Sequence, residues 1–401
     1  MQNQNQVLTP TEVFEFANLA YLTLDKSTAE IQGRIVREYP LIDAGSFQML
    51  HGISGLFNPA LSGFGYVARL KGIRSNELVL STRGTLTASD WGTDLHASST
   101  QGPTGHSVHK GFQGTFQSYI RQVESLIDIR KLGFKPTVIH CMGHSLGGAL
   151  ANLNAAALRE LGYNTVMYTL AAPRVGQVPY AEFLSNRFSE SNVFRVSNES
   201  DPVPMVSCFP YVHAPYLFGT YLLEGGALKI NPMNHKIGKG YVGIQGKTWA
   251  QLKSASQARQ KLLEERYFPN SKASGHYAEQ LAAASGNTVH SKQFLNSINA
   301  AINMMLVKAG AVTLISVNHF GTGAFTTLDQ IAEILIRHVS IFKSSVHELT
   351  GILSGIMKFL GRPAVSVQQM GIALLKWAFH LLAHALQAMA QKAIGLSMFK
   401  M

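Results

Sequence analysis

Gly143-His144-Ser145-Leu146-Gly147 separates two stretches of different periodicity. Upstream, Thr137-Val138-Ile139-His140-Cys141 is a short apolar run that reads as a buried strand. Downstream, Gly148-Ala149-Leu150-Ala151-Asn152-Leu153-Asn154-Ala155-Ala156-Ala157-Leu158 reads as a helix. A G-x-S-x-G between a strand and a helix is a nucleophile elbow. The turn is so tight that Ser145 is expected in a strained conformation with its hydroxyl raised above the sheet. Side chains at positions 143 and 147 would collide with the neighbouring strand or helix, so both are glycine. The helix N-terminus behind Ser145 offers free N–H groups to a developing oxyanion.

The pattern continues on both sides. Thr9-Pro10-Thr11-Glu12 opens a helix, with Thr9 as cap, Pro10 in the first turn and Glu12 closing a capping box. Gly63 to Leu70 and Glu77 to Thr82 read as strands of a hairpin or meander. Val108-His109-Lys110-Gly111-Phe112 leads into a helix running to about Leu132. Thr165 to Leu170 and Asn192 to Ser197 are further strands, with a helix over Tyr180 to Phe188 between them. Strands alternating with helices predict an α/β fold whose sheet is parallel through its centre.

Composition narrows the setting. Of 401 residues only 14% are charged, and the formal net charge is +11. The mean hydropathy is +0.07 and the pI about 9.6. A basic, apolar chain suits anionic partners, and with no Lys/Arg block for nucleic acid the expected one is a membrane surface. The two cysteines, Cys141 and Cys208, do not make a disulfide framework. Met1 to Gln6 is polar and uncharged, without the basic and apolar regions of a secretory signal. The expectation is a protein that stays in the cytoplasm or is exported by a signal-independent route.

If Ser145 is a nucleophile, an acid and then a base should follow it in the chain. Asp201 ends a strand and is fixed by Pro202, which makes it the candidate acid over Glu199. A histidine is the natural base, because its ordinary pKa lets it accept and return a proton near neutrality. His235 is the first choice, in the loop Asn231-Pro232-Met233-Asn234-His235. His276, which opens a helix after Ser274-Gly275, is its rival, and His213 a third candidate. An oxyanion hole needs two donors. The amide of Leu146 supplies one, and Thr85, at the strand-loop junction Arg83-Gly84-Thr85, fits the other.

These residues together resemble the class 3, fungal-lipase-like branch of the α/β-hydrolases. The matching pieces occur in order: Arg83-Gly84-Thr85 with Asp90-Trp91, Val108-His109-Lys110-Gly111-Phe112, Gly143-His144-Ser145-Leu146-Gly147-Gly148, Pro173-Arg174-Val175-Gly176 and Asp201-Pro202-Val203-Pro204. The resemblance covers roughly residues 10 to 245. It implies hydrolysis of glycerolipid acyl esters, as a lipase or phospholipase A, with no cofactor or metal. It also implies the roles given above for Ser145, Asp201, Thr85 and Leu146, and a lid over Leu86 to Leu95 in which Trp91 faces lipid. For the base the resemblance leaves two candidates, His235 followed by Tyr241 and His276 followed by Tyr277.

The family pattern stops near residue 246. Residues 1–246 are therefore expected to form the hydrolase domain, and 247–401 a mainly helical region that supplies lid, membrane or partner contacts. Ala250 to Glu265 is polar and helical. A helix from Thr327 is expected to reach Phe359, where Gly361-Arg362-Pro363 breaks it, and another spans Val365 to Leu396. Ala300 to Val317 and Met370 to Leu386 fall just short of clean membrane spans. The bland expectation is a bundle packed on the hydrolase core; the others are an interfacial module and a surface for an inhibitor or carrier protein. The combination suggests a bacterial lipase or phospholipase effector acting on membranes. The alternative class is a lipid- or partner-binding protein on an inactive hydrolase scaffold.

Overall fold

Leu78, Val79 and Leu80 carry apolar side chains to alternate faces of one strand, and all three are buried. A strand buried on both faces belongs in the middle of a covered sheet. The computed structural model describes residues 7–54, 60–84, 99–207, 209–216, 218–225, 230–267, 281, 284, 289–310, 327–363 and 371–398. Its main sheet comprises β1 (Gln48–Ser54), β2 (Ala60–Arg69), β3 (Glu77–Thr82), β6 (Val138–His144), β7 (Thr165–Leu170), β9 (Val193–Asn198) and β11 (Thr220–Leu223), in that spatial order. β1, β2 and β3 form an antiparallel meander, and β3, β6, β7, β9 and β11 run parallel. A second small sheet holds β4 (Ser99–Gln101), β5 (Ser107–His109), β8 (Gly176–Gln177) and β10 (Tyr211–Val212).

Each face of the main sheet has its own apolar layer. α1 (Pro10–Leu19), α2 (Thr28–Glu38) and α7 (Trp249–Tyr267) cover one, with Phe16, Ile31, Ile35 and Leu252 meeting Val79, Met142, Val166 and Val196. α3 (Lys110–Leu126), α5 (Leu146–Glu160) and α6 (Val178–Arg187) cover the other, with Phe116, Leu150 and Leu184 meeting Leu80, Ile139, Cys141 and Met167. This second layer continues without a break into α8 (Lys292–Lys308), α9 (Thr327–Ile341), α10 (Val346–Phe359) and α11 (Ile372–Met398), through Phe294, Ile298, Ile352 and Phe379. By length and composition α11 is apolar enough to cross a membrane over Ile372–Leu396. In the protein its Phe379 ring stands edge-on to Phe209, the centroids 4.7 Å apart.

Several boundaries depart from the sequence reading. The expected helix to Leu132 ends at Leu126, and α4 (Ile129–Leu132) restarts after Asp128, whose carboxylate caps the Arg130 amide. The helix expected over Thr327 to Phe359 is two helices. The chain leaves helical geometry at Phe342 (φ −111°, ψ 85°), and Ser345 becomes the N-cap residue of α10 while its hydroxyl bonds His338 Nε2 at 3.3 Å. α2 was not read at all, although Ser27 and Glu30 form a complete capping box. The start of the Val365 to Leu396 helix and the apolar run before Val317 lie partly outside the described residues.

The parallel strands end in step: Thr82 pairs with Gly143, and Gly143 with Thr169. The loops carrying Ser145 and Asp201 thus emerge from one edge of the sheet, the edge at which open α/β folds bind ligands. The close fit there is enforced by glycine. A Cβ on Gly147 would land on the carbonyl oxygen of Thr82 and 2.7 Å from its carbonyl carbon. Replacing Gly147 by Ala is therefore expected to cost about 1–3 kcal/mol through forced backbone movement. The check is a fall in the urea midpoint without a change in slope.

Candidate active site

Ser145 follows β6 directly and has φ 61° and ψ −131°. That is sparsely populated backbone for a residue with a side chain, and it is tolerated only where the surroundings hold it. Here the Ser145 amide bonds Leu170 O at 2.9 Å, and the Ser145 carbonyl accepts from Gly148 N at 2.9 Å. Leu146 is the first residue of α5, so its amide belongs to the unpaired first turn of the helix. Gly84 comes in from β3 against the elbow; a Cβ there would stand 3.0 Å from Ser145 Cβ. Thr85, Trp91 and the expected lid from Leu86 to Leu95 lie outside the described residues.

The structure brings Ser145, His235 and Asp201 into one hydrogen-bonded line. Ser145 Oγ is 2.9 Å from His235 Nε2, and His235 Nδ1 is 3.0 Å from Asp201 Oδ2. A carboxylate can only accept, so the His235 proton sits on Nδ1 and leaves Nε2 free to accept from the serine. His235 ends a short helical turn, Pro232–His235, that Asn231 caps through Met233 N at 3.1 Å. That turn is tied to the acid loop: Asn231 N bonds Ser200 O at 2.8 Å, and Asn234 Nδ2 bonds Ser200 Oγ at 3.2 Å. His276 lies outside the described residues. His213 sits elsewhere, beside Pro204. Burial, with the charges of Arg195, Arg174 and Lys292 behind it, pushes the His213 imidazole well below its ordinary pKa.

Asp201 is fully buried, and burial disfavours its charge. The charge and hydrogen bond of His235, the Tyr241 hydroxyl and the Val203 amide outweigh that effect and hold the carboxyl below its ordinary pKa. Tyr241 Oη donates to Asp201 Oδ2 at 2.6 Å, and Val203 N donates to Oδ1 at 2.9 Å. Glu199, the weaker candidate acid, is engaged elsewhere: Arg259 of α7 reaches its Oε1 at 2.7 Å and its Oε2 at 2.8 Å.

Two contributors had no role in the sequence reading. His144, inside the elbow motif, donates from Nε2 to the carbonyl of His235 at 2.9 Å and accepts at Nδ1 from the Tyr21 hydroxyl at 2.7 Å. The Gly84 amide completes the chain by reaching Tyr21 Oη. Burial and the neighbouring His235 push the His144 pKa down to about 3, so it stays neutral and works as a strut for the His235 backbone. Tyr241 was noted only as an aromatic after His235. The signal for both lay in the spacing: a polar ring beside the nucleophile, and a tyrosine six residues beyond the base.

A family model, Lipase (class 3), matches residues 79–210. Over this stretch, about a third of the chain, the sequence is similar to the class 3 lipases. The secreted mono- and diacylglycerol lipase 1 of Fusarium solani is 31% identical over 156 residues, which cover 38% of this chain and 45% of that protein. The chloroplastic phospholipase A(1) DAD1 of Arabidopsis thaliana is 28% identical over 172 residues, 36% of this chain and 38% of that protein. The chain thus spans less than half the length of these relatives. Among solved structures, the mono- and diacylglycerol lipase of Aspergillus oryzae aligns at 24% identity and a TM-score of 0.39, over 51% of this chain and 76% of that one. The matched lipase domain contains Ser145 and Asp201; His235 and Tyr241 come from beyond its end.

Because the folded Asp201 pKa lies below its unfolded value, the group contributes stability above about pH 4 that is lost as pH falls through the folded pKa. Tyr241→Phe removes one of the interactions that lower it. The variant is expected to lose about 1–2 kcal/mol at neutral pH and to unfold at a higher pH on acid titration. An acid midpoint at or below that of the parent would contradict this assignment.

Proposed function

We propose that this chain is a serine esterase that hydrolyses acyl esters of glycerolipids, as a lipase or phospholipase A. The observation that carries the reading is the buried line from Ser145 through His235 to Asp201 on a strained elbow. It is supported by the class 3 lipase match and by relatives named as mono- and diacylglycerol lipase and phospholipase A(1).

In this reading His235 Nε2 takes the Ser145 proton as Oγ attacks the ester carbonyl. The oxyanion that forms is met by the Leu146 amide, with Thr85 as the second donor. The His235 imidazolium is balanced by Asp201 and returns its proton to the departing glycerol oxygen, leaving an acyl-serine. Water then repeats the sequence and releases the fatty acid. Action at an anionic membrane surface fits the net charge of +11.

Ser145→Ala is expected to lower hydrolysis of p-nitrophenyl acyl esters about a thousand-fold or more while leaving the melting temperature near that of the parent. A fluorophosphonate probe should label the parent at Ser145 and leave the variant unlabelled, because labelling requires an activated serine. Mass spectrometry of lipid products from mixed phospholipid and acylglycerol vesicles then distinguishes phospholipase from lipase. Undiminished hydrolysis by Ser145→Ala would overturn the proposed triad.

A further inference from the structure

α8 lies outside the matched lipase domain, yet one face of it is polar and largely turned toward the lipase domain. Lys292, Asn296 and Asn299 fall at i, i+4 and i+7, the spacing of a single helical face. Lys292 and Asn299 are buried. Burying an ammonium group and an amide is costly unless each finds a partner. All three find theirs around Asp201. Lys292 Nζ donates to Asn198 O at 3.2 Å, where β9 enters the acid loop. Asn299 Oδ1 accepts from Phe209 N at 3.0 Å, where the chain leaves it. Asn296 Oδ1 accepts at 2.9 Å from Arg174, which itself donates to Met205 O at 2.6 Å and Ser207 O at 3.1 Å. α8 also packs on the Val203–Met205 turn, and α11 on the Pro232–His235 turn.

We propose that α8 is a positioning element for the catalytic acid, in which Lys292, Asn296 and Asn299 hold both ends of the acid loop so that Asp201 stays aimed at His235. The inference builds on the esterase reading above. None of the three side chains touches the reacting atoms; they act through the loop. Lys292 adds a charge to the same neighbourhood. The groups facing it are Asp201 and Glu199 from the acid loop, Arg174, Arg195 of β9 and His213. Burial first, with Arg174 and Arg195 also opposing the charge, pushes its pKa down to about 8, while Asp201 and Glu199 favour the charge. It is therefore positive at neutral pH. Removing this positive charge from beside Asp201 should therefore show in the pH dependence of the reaction as well as in its rate.

The test uses the full chain and p-nitrophenyl butyrate. Lys292→Met is expected to lower kcat roughly ten-fold with KM within about two-fold, and to move the acid limb of kcat/KM up by about half a pH unit. Lys292→Arg, which keeps the charge, should return the limb to its parental place. Asn296→Ala sits at an exposed position and is expected to fold; it should lower kcat about three-fold at unchanged KM. A folded Lys292→Met variant with parental kcat and acid limb overturns the inference. If that variant does not fold, parental kcat in Asn296→Ala overturns it. Hydrolysis that survives Ser145→Ala brings down the esterase reading and this inference together. Hydrolysis that needs Ser145 but ignores Lys292 and Asn296 brings down only the inference.

Discussion

The approach of β3 to the first turn of α5 is the constraint on which the rest depends. The carbonyl of Thr82 lies where side chains at positions 143 and 147 would have to go. Thr82 Oγ1 also donates to the Gly147 carbonyl at 2.8 Å. With the two elements this close, the chain between them has room only for a residue at φ 61°, and the side chain of that residue is forced off the end of the sheet. Arg83 reinforces the arrangement from the other side. Its guanidinium is buried and holds Gly63 O at 2.6 Å, Gly84 O at 2.6 Å and Ser62 Oγ at 2.8 Å, which fixes the strand exit beside the elbow. Strain at Ser145 persists because packing on both sides removes the relaxed alternatives.

Around that point the site is a set of buried polar groups, each satisfied by another. Tyr241 Oη accepts from Asn198 N at 3.2 Å while donating to Asp201. Asn198 Nδ2 reaches Gly240 O at 3.2 Å, so acid loop and base loop share one network. Gly240 has no side chain because a Cβ would overlap the Asn234 carbonyl, and that contact turns Tyr241 back beneath Asp201. Such networks are favourable only when complete, since a lone buried donor or acceptor costs about 1–3 kcal/mol. Completeness makes the site rigid, and rigidity keeps Ser145, His235 and Asp201 within hydrogen-bonding range before any substrate arrives.

Much of this was legible in the sequence. The strand-elbow-helix unit, the parallel centre and the pairing of Ser145 with Asp201 all follow from local periodicity and chain order. The choice between His235 and His276 did not, because a loop histidine reveals its partner only in three dimensions; Pro232 and the glycines at 238 and 240 were the local hints that His235 sits in a tight, directed turn. His144 escaped notice because the motif makes its position look arbitrary. β1 and β11 were missed as edge strands with little apolar alternation, half-exposed or exposed over His51, Ile53 and Thr220. The polar face of α8 was hidden for a different reason. Nothing local in the sequence marks Lys292, Asn296 and Asn299 as partners of the acid loop; only contact with residues about ninety or more positions earlier does so, and it buries Lys292 and Asn299.

Charge explains why that stripe sits where it does. Asp201 is a buried anion whose direct partners are the His235 ring, the Tyr241 hydroxyl and the Val203 amide, each donating one hydrogen bond. A cation in contact with the carboxylate would stabilise it more, but would also oppose the imidazolium that forms in the proposed reaction. Lys292 resolves the conflict by position. Its hydrogen bond goes to the Asn198 carbonyl, three residues before Asp201, so it offsets the buried negative charge without occupying the carboxylate. Asp201 thus keeps Oδ2 for His235, as the proposed mechanism requires. α8 is then part of the electrostatics of the site as well as a cover over the sheet.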